Sequence, residues 1–411
     1  MAHRNFASRV AQIAIITTIT SVGSVSMVSG QRPRHARQPV FGVVAFDAYA
    51  SGSTVDILFV NNDGQAKTLH HQRSLDGGIS WGATTDIDTG LTPIGVASRG
   101  NGPQVVAHGE HVAVHWSTDG VDRHGSGPMA TAYSSDGGQT WTSGPNPAED
   151  GTRRGQNFAD MAADPDGTFY VAWIGSHDGP ARRALGVARS VDFGASWDYS
   201  QLADTSSCAC CWNRIEAPRP GVARVLYRDH GIRDMALATT ADGGRTWSLD
   251  GVVGEFGWAF DGCPHVGGGI ATGGNSQAEQ LHALVWTGHE SKHGLYWVTS
   301  VDDGARWSTP RRFGGDFARH ADIGARDNTV VAAWDESRRI RISTSDDAGE
   351  TWSETKALSR DGYVASHPLV LRTDAQFVVF WTERDADGLV TWQSQRLDSP
   401  GTASTTDGQD Q

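Results

Sequence analysis

Ser74–Trp81 reads SLDGGISW, and five further octapeptides repeat it: Ser134–Trp141 (SSDGGQTW), Ser190–Trp197 (SVDFGASW), Thr240–Trp247 (TADGGRTW), Ser300–Trp307 (SVDDGARW) and Ser345–Trp352 (SDDAGETW). The shared pattern is S/T-x-D-x-G-x-x-W. An aspartate placed this way accepts N–H groups just downstream and closes a tight turn. The glycine two residues later takes a backbone conformation that a side chain disfavours. The tryptophan re-enters the fold and can bury a large ring between neighbouring sheets. Each octapeptide thus specifies a hairpin with a fixed turn and a fixed anchor.

The six aspartates, Asp76, Asp136, Asp192, Asp242, Asp302 and Asp347, are spaced by 60, 56, 50, 60 and 45 residues. A four-stranded propeller blade takes about 40–50 residues, so each interval holds one blade. The parts recur in one order. A first strand, such as Pro103–His108 or Phe158–Ala163, precedes a more apolar second strand: Val112–Trp116, Tyr170–Trp173, Ala283–Trp286 or Val330–Trp334. A third strand, such as Leu185–Ser190 or Met235–Thr240, leads into the octapeptide. One more unit lacks the octapeptide: Phe377–Trp381 and Leu389–Gln395 repeat the second and third strands, and the pattern stops at Leu397. Phe41–Asp47 is expected to complete that unit and close the ring.

The fold class expected is all-β, a β-propeller of four-stranded blades, seven favoured over six, in one domain spanning residues 41–398. The octapeptide resembles the Asp box, or BNR repeat, of sialidase-like propellers, and the resemblance covers nearly the whole chain after its N-terminal segment. Asp boxes occur in hydrolases, receptors, assembly factors and binding propellers, so the resemblance implies a fold and leaves the function open.

The chain has 411 residues, 50 glycines, 15 tryptophans and a formal charge of −13. Such an acidic balance argues against nucleic acid or an anionic membrane surface as partner. Arg4 and Arg9 precede the uncharged run Val10–Val28, and Val28-Ser29-Gly30 offers small residues for cleavage. Residues 1–30 therefore read as an export signal, for the periplasm or the exterior. No other apolar stretch reaches the roughly 20 residues of a spanning helix. Residues 31–40 and 399–411 read as an unstructured linker and tail.

The four cysteines are unusually placed. Three lie in Cys208-Ala209-Cys210-Cys211-Trp212 and the fourth in Cys263-Pro264-His265. An even count in an exported chain suggests disulfides. Here they would require a bridge between adjacent cysteines or two bridges converging on one spot. Aligning the units by their second strands sets three histidines at the start of successive first strands, in His265–Gly269, His320–Gly324 and His367–Leu371, with the Cys208–Cys211 cluster one unit earlier. First strands line the channel of a propeller. Cys208, Cys210, Cys211, Cys263, His265, His320 and His367 are therefore expected at one channel mouth, as a site for copper or zinc. Disulfides and a redox-active thiol site are the other readings. The pattern Cys-x-Cys-Cys followed by Cys-Pro-His also resembles that of exported bacterial sialidase-like proteins.

A retaining sialidase needs an arginine clamp, a Tyr–Glu pair and an acid/base Asp. The family's Arg-Ile-Pro signature is missing ahead of the first octapeptide. Its nearest echo is Arg214-Ile215-Glu216-Ala217-Pro218. Tyr363 and Arg233, Arg338, Arg339 and Arg384 are the remaining pieces. His70-His71 and Gly288-His289-Glu290 read as ordinary strand or loop residues. The leading expectation is an exported Asp-box propeller that binds a soft transition metal, copper favoured, with the reaction open. The alternatives are a glycoside hydrolase of exo-sialidase type and a metal-free propeller that binds a protein or glycan on its loop face.

Overall fold

The computed structural model describes residues 40–397 apart from 88–93, 96, 99, 122–124, 149–153, 177–182 and 276–277. The export signal, most of the linker and the C-terminal tail lie outside these residues. Among the described residues there is no helix, and the strands form antiparallel sheets.

The first sheet runs β1 (Phe41–Ser51), β2 (Thr54–Asn62), β3 (Lys67–Ser74) and β4 (Thr85–Asp86). Next come β5 (Gln104–His108) to β6 (His111–Asp119), β7 (Ser126–Ser134) and β8 (Thr142–Gly144). The third sheet has β9 (Asn157–Ala163), β10 (Phe169–Ser176), β11 (Arg183–Ser190) and β12 (Asp198–Asp204). The fourth has β13 (Arg214–Arg219), β14 (Val222–Arg228), β15 (Met235–Thr240) and β16 (Ser248–Val253). The fifth has β17 (Gly269–Asn275), β18 (Ala278–Thr287), β19 (Gly294–Ser300) and β20 (Arg311–Phe313). The sixth has β21 (Arg319–Arg326), β22 (Thr329–Glu336), β23 (Arg339–Ser345) and β24 (Lys356–Ala357). A last set, β25 (Val364–Arg372), β26 (Phe377–Arg384) and β27 (Leu389–Leu397), joins the first sheet in the order β25-β26-β27-β1-β2-β3-β4.

That junction differs in detail from the sequence expectation. Phe41 and Gly42 pair in parallel with Leu389 and Val390, but Gly42–Ser51 pairs antiparallel with β2 as the innermost strand of the first sheet. The reason is burial. From Ala45 to Ala48 β1 packs into the core, with Phe46 and Ala48 set against Val55, Ile57, Val378 and Phe380.

Every octapeptide joins the third strand of its sheet to the fourth. In the second sheet Asp136 Oδ1 accepts the N–H groups of Gln139 (3.0 Å) and Thr140 (2.9 Å), and the Ser134 hydroxyl takes the Gly138 N–H at 2.8 Å. The same bonds recur at Asp192, Asp242, Asp302 and Asp347, each accepting the N–H four residues on. The required left-handed residue after the aspartate is glycine at Gly77, Gly137 and Gly243, whereas Phe193, Asp303 and Ala348 take it at φ 56–60° without that advantage. The tryptophans pack onto the preceding sheet: Trp141 meets His71 edge-on at 5.3 Å, and Trp352 meets Trp297 and Phe313.

The second strands are predominantly apolar because both their faces are covered, with a few buried polar residues such as Asp56, His115 and Arg224 among them. One core lies between each successive pair of sheets. Leu58 and Val60 pack with Val112 and Val114, Phe169 with Met129, Tyr170 with Tyr227, Leu226 with Val285, and Trp286 with Trp334. Val331 packs with Val379, and the circuit closes where Val378 meets Val55 and Ile57. The first strands touch in the order β1, β5, β9, β13, β17, β21, β25 and back to β1. This is a β-propeller, and its first strands run side by side around an axis.

Candidate metal centre at the channel mouth

Cys208, Cys210 and Cys211 sit where the chain enters the innermost strand of the fourth sheet, and Cys263 precedes that of the fifth. Cys208–Cys211 forms a turn ahead of β13 rather than its first residues, so the expected strand spacing of Cys208 and Cys210 does not apply. The turn does what a strand would not: it folds Cys211 back to Cys208. The Cys208 sulfur lies 3.5 Å from that of Cys211 and 3.9 Å from that of Cys210, and all three residues are buried. All four cysteines are free thiols. A metal–sulfur bond of about 2.3 Å gives a tetrahedral ligand–ligand edge of about 3.8 Å, and the observed spacing brackets it.

Electrostatics separate the three thiols. Cys208 is held far below the usual thiol range foremost by its contacts with the Cys210 and Cys211 sulfurs, with Arg228 adding its charge. The same contacts push Cys210 and Cys211 up. Arg228 was not anticipated from the sequence. It is fully buried at the end of β14, its Nη1 lies 3.5 Å from Cys208 Sγ, and its guanidinium sits 4.0 Å over the Trp258 ring. Its other donors reach the carbonyls of Arg233 and Phe260 at 2.7 and 3.0 Å. Cys263 is exposed and approaches Cys210 from a cavity of about 350 Å³ that Cys208, Cys210, His230, Arg233 and Asp261 also line.

The histidines divide. His265 is exposed and lies four residues ahead of β17, which starts only at Gly269, so its expected place at a strand start is corrected. Between it and the strand run glycines that lie close to their neighbours: a Cβ on Gly267 would meet Trp212 at 2.9 Å, and one on Gly268 the Leu284 carbonyl at 2.5 Å. His320 is the second residue of β21, near its expected place, whereas His367 is the fourth residue of β25 rather than its first. Their near-parallel rings have centres 4.2 Å apart, and each centre is 5.0 Å from that of Trp212. Asp335, at the end of β22, joins them: its Oδ2 is 2.7 Å from His320 Nδ1 and accepts the His367 backbone N–H at 3.2 Å. Five of the seven expected residues fall into two groups of donor atoms, Cys208–Cys210–Cys211 and, joined by Asp335, His320–His367; Cys263 and His265 are in neither.

Deeper on the axis, Arg214 lies 2.6 Å from Asp322 and 3.6 Å from Asp160. Asp47, Asp160 and Asp322 each accept a backbone N–H from another sheet's first strand, those of Val105, Ile215 and Val370, at 2.8–2.9 Å. Burial foremost raises Asp47 to about 7 and Asp160 to about 6. Arg214 is therefore engaged by acids rather than presented to a substrate. Glu216 likewise serves the scaffold, accepting the Thr272 N–H at 2.8 Å. Arg233 pairs with Asp261, Arg339 pairs with Asp361, and the Tyr363 ring lies under Arg360. His71 is buried against Asp56. A second axial cavity, of about 1000 Å³, opens at the far ends of the first strands between Tyr49, Glu216, Thr272 and Arg326.

No family model matches the chain, and no curated protein matches it in sequence. Solved structures share its fold. Polysaccharide lyase Uly1 superposes with a TM-score of 0.58 at 10% identity, over 87% of this chain and 90% of that one. A PL25 ulvan lyase bound to a GlcA–Rha3S oligosaccharide gives 0.56 at 11% identity, over 86% and 93%. A Hadza microbial sialidase gives 0.45 at 17% identity, over 87% and 66%. This chain is thus similar in fold to β-propeller enzymes that act on glycans.

Proposed function

We propose that this chain is an exported Asp-box propeller of seven blades that holds a soft transition metal, copper favoured over zinc, on the thiols at its channel mouth. The blade count rests on seven first strands in a closed circuit, six carrying the octapeptide downstream. Export rests on the sequence of residues 1–30. The observation that carries the metal reading is the set of three buried sulfurs spaced 3.5–3.9 Å about Cys208. Ionising a sulfur in so buried a group is unfavourable unless something binds it. Thiolate-rich sets select Cu(I) and Zn(II). Cys263, facing the same cavity, is the natural further donor and the point of exchange with solvent.

Cu(I) titration against a chromophoric chelator tests this. The full chain should take up about one Cu(I) tightly, and Cys208→Ser should lose it, since fewer sulfurs then remain. Equal uptake by Cys208→Ser and the parent would overturn the assignment.

A second reading is a glycan-binding or glycan-cleaving propeller. It draws on the fold likeness to the lyases and on the 1000 Å³ cavity at the far end of the axis. Binding of polysaccharide by metal-free protein, unaffected by Cys208→Ser, would favour it.

A further inference from the structure

His320 and His367 share a backbone feature that Phe158 of β9 also shows. Both take left-handed conformations, φ 44° and 57°, where the pairing of β21 with β22 and of β25 with β26 shifts register. A non-glycine residue held there is strained, and such conformations cluster at functional sites. Bulges of this kind re-aim a side chain, here toward the axis. A cavity of about 70 Å³ opens on both imidazoles, and its wall includes Trp212, Asp47, Asp160 and Arg214.

We propose that His320, His367 and Asp335 form a second metal site, distinct from the thiols. It takes a divalent borderline cation, Cu(II) or Zn(II), and keeps one coordination position open to this cavity for water or a small inorganic anion. Donor chemistry separates the two sites: imidazole and carboxylate suit divalent copper and zinc, whereas thiolates suit Cu(I). The donor atoms already lie within 4.8 Å of one another. The Asp335 carboxylate, 2.7 Å from His320 Nδ1, sets an anionic oxygen donor beside the imidazoles. Three protein donors leave the fourth position of a tetrahedral or square site to solvent. A water's share of liquid is about 30 Å³, so the cavity holds one or two waters or an azide-sized anion. Trp212 follows Cys211 directly in the chain and lies against both imidazoles, so it separates the two sites and reports on the second. This inference does not rest on the thiol site being loaded.

The test uses the full chain treated first with Ag(I), which is soft and magnetically silent, and then titrated with Cu(II). Electron paramagnetic resonance should show about one bound Cu(II) with splitting from two nitrogens. Tryptophan fluorescence should be quenched, and Trp212→Phe should remove most of the quenching. His367→Ala and, as a gentler variant, His320→Gln should lose the nitrogen-split signal, Cys211→Ser should keep it, and sodium azide should change it. A signal lacking nitrogen splitting, or one that survives in both histidine variants with native circular dichroism, overturns the site. An unchanged signal in azide overturns the open position. Silver uptake reads the thiol site separately, so the two assignments fail independently.

Discussion

Asp47→Asn isolates the least comfortable charge on the propeller axis. Asp47 is buried, and its Oδ2 accepts the Val105 N–H at 2.9 Å, a bond that an asparagine carbonyl can keep. Burial, followed by the Asp160 carboxylate, raises its pKa from 3.8 to about 7, while Arg214 opposes the rise only in part. A carboxyl whose folded pKa lies above its unfolded value favours the protonated fold. Its contribution is fully present below about pH 4 and is lost as pH rises through about 7. At about 1.36 kcal/mol per pH unit that interval corresponds to roughly 4 kcal/mol, and relaxation of the surroundings reduces the observable effect to about 2–4 kcal/mol. Urea unfolding of parent and variant at each pH from 4 to 8 measures it. The two should be nearly equal at pH 4, and the Asp47→Asn variant should become progressively more stable than the parent toward pH 8. Asp160 is raised in the same direction and contributes to the slope that both proteins share. Parallel stability profiles for the two proteins would refute the reasoning.

Arg214→Leu should destabilise by about 3–5 kcal/mol at pH 8, because it leaves Asp160 and Asp322 buried without their cation. Adding Asp322→Asn should restore part of the loss in a denaturation cycle. Trp197→Ala removes a buried anchor and should cost about 3–5 kcal/mol. Asp192→Ala strands the Ser196 N–H and hydroxyl and should cost about 1–2 kcal/mol, both read from unfolding midpoints. A fluorogenic sialoside should be hydrolysed at background rate, because Arg214 is engaged by aspartates. Turnover abolished by Tyr363→Phe would contradict this.

The strands are legible in the sequence because the octapeptide fixes a turn by local bonds alone and the second strands are the most apolar segments of each unit. Val112–Trp116 and Phe377–Trp381 need no tertiary information to be placed. His265 falls away from its expected place because a run of glycines carries no pattern to show where β17 begins, and Trp212 sets that point from another sheet. The turn at Cys208–Cys211 is hidden for a similar reason, since alternation in a short polar segment reads equally as strand or turn. Arg228 and Asp335 stand near the ends of second strands, where residue type varies between units. Asp322 meets Arg214 across 108 residues of sequence, a pairing that only ring closure creates.

The central claim is a metal held by sulfur at the channel mouth. X-ray absorption at the copper and zinc edges, on protein isolated from its native compartment without added metal, tests it most directly. The account predicts a copper edge with a sulfur shell at about 2.2–2.3 Å. Protein that contains neither metal, or a metal shell made only of nitrogen and oxygen, would contradict it.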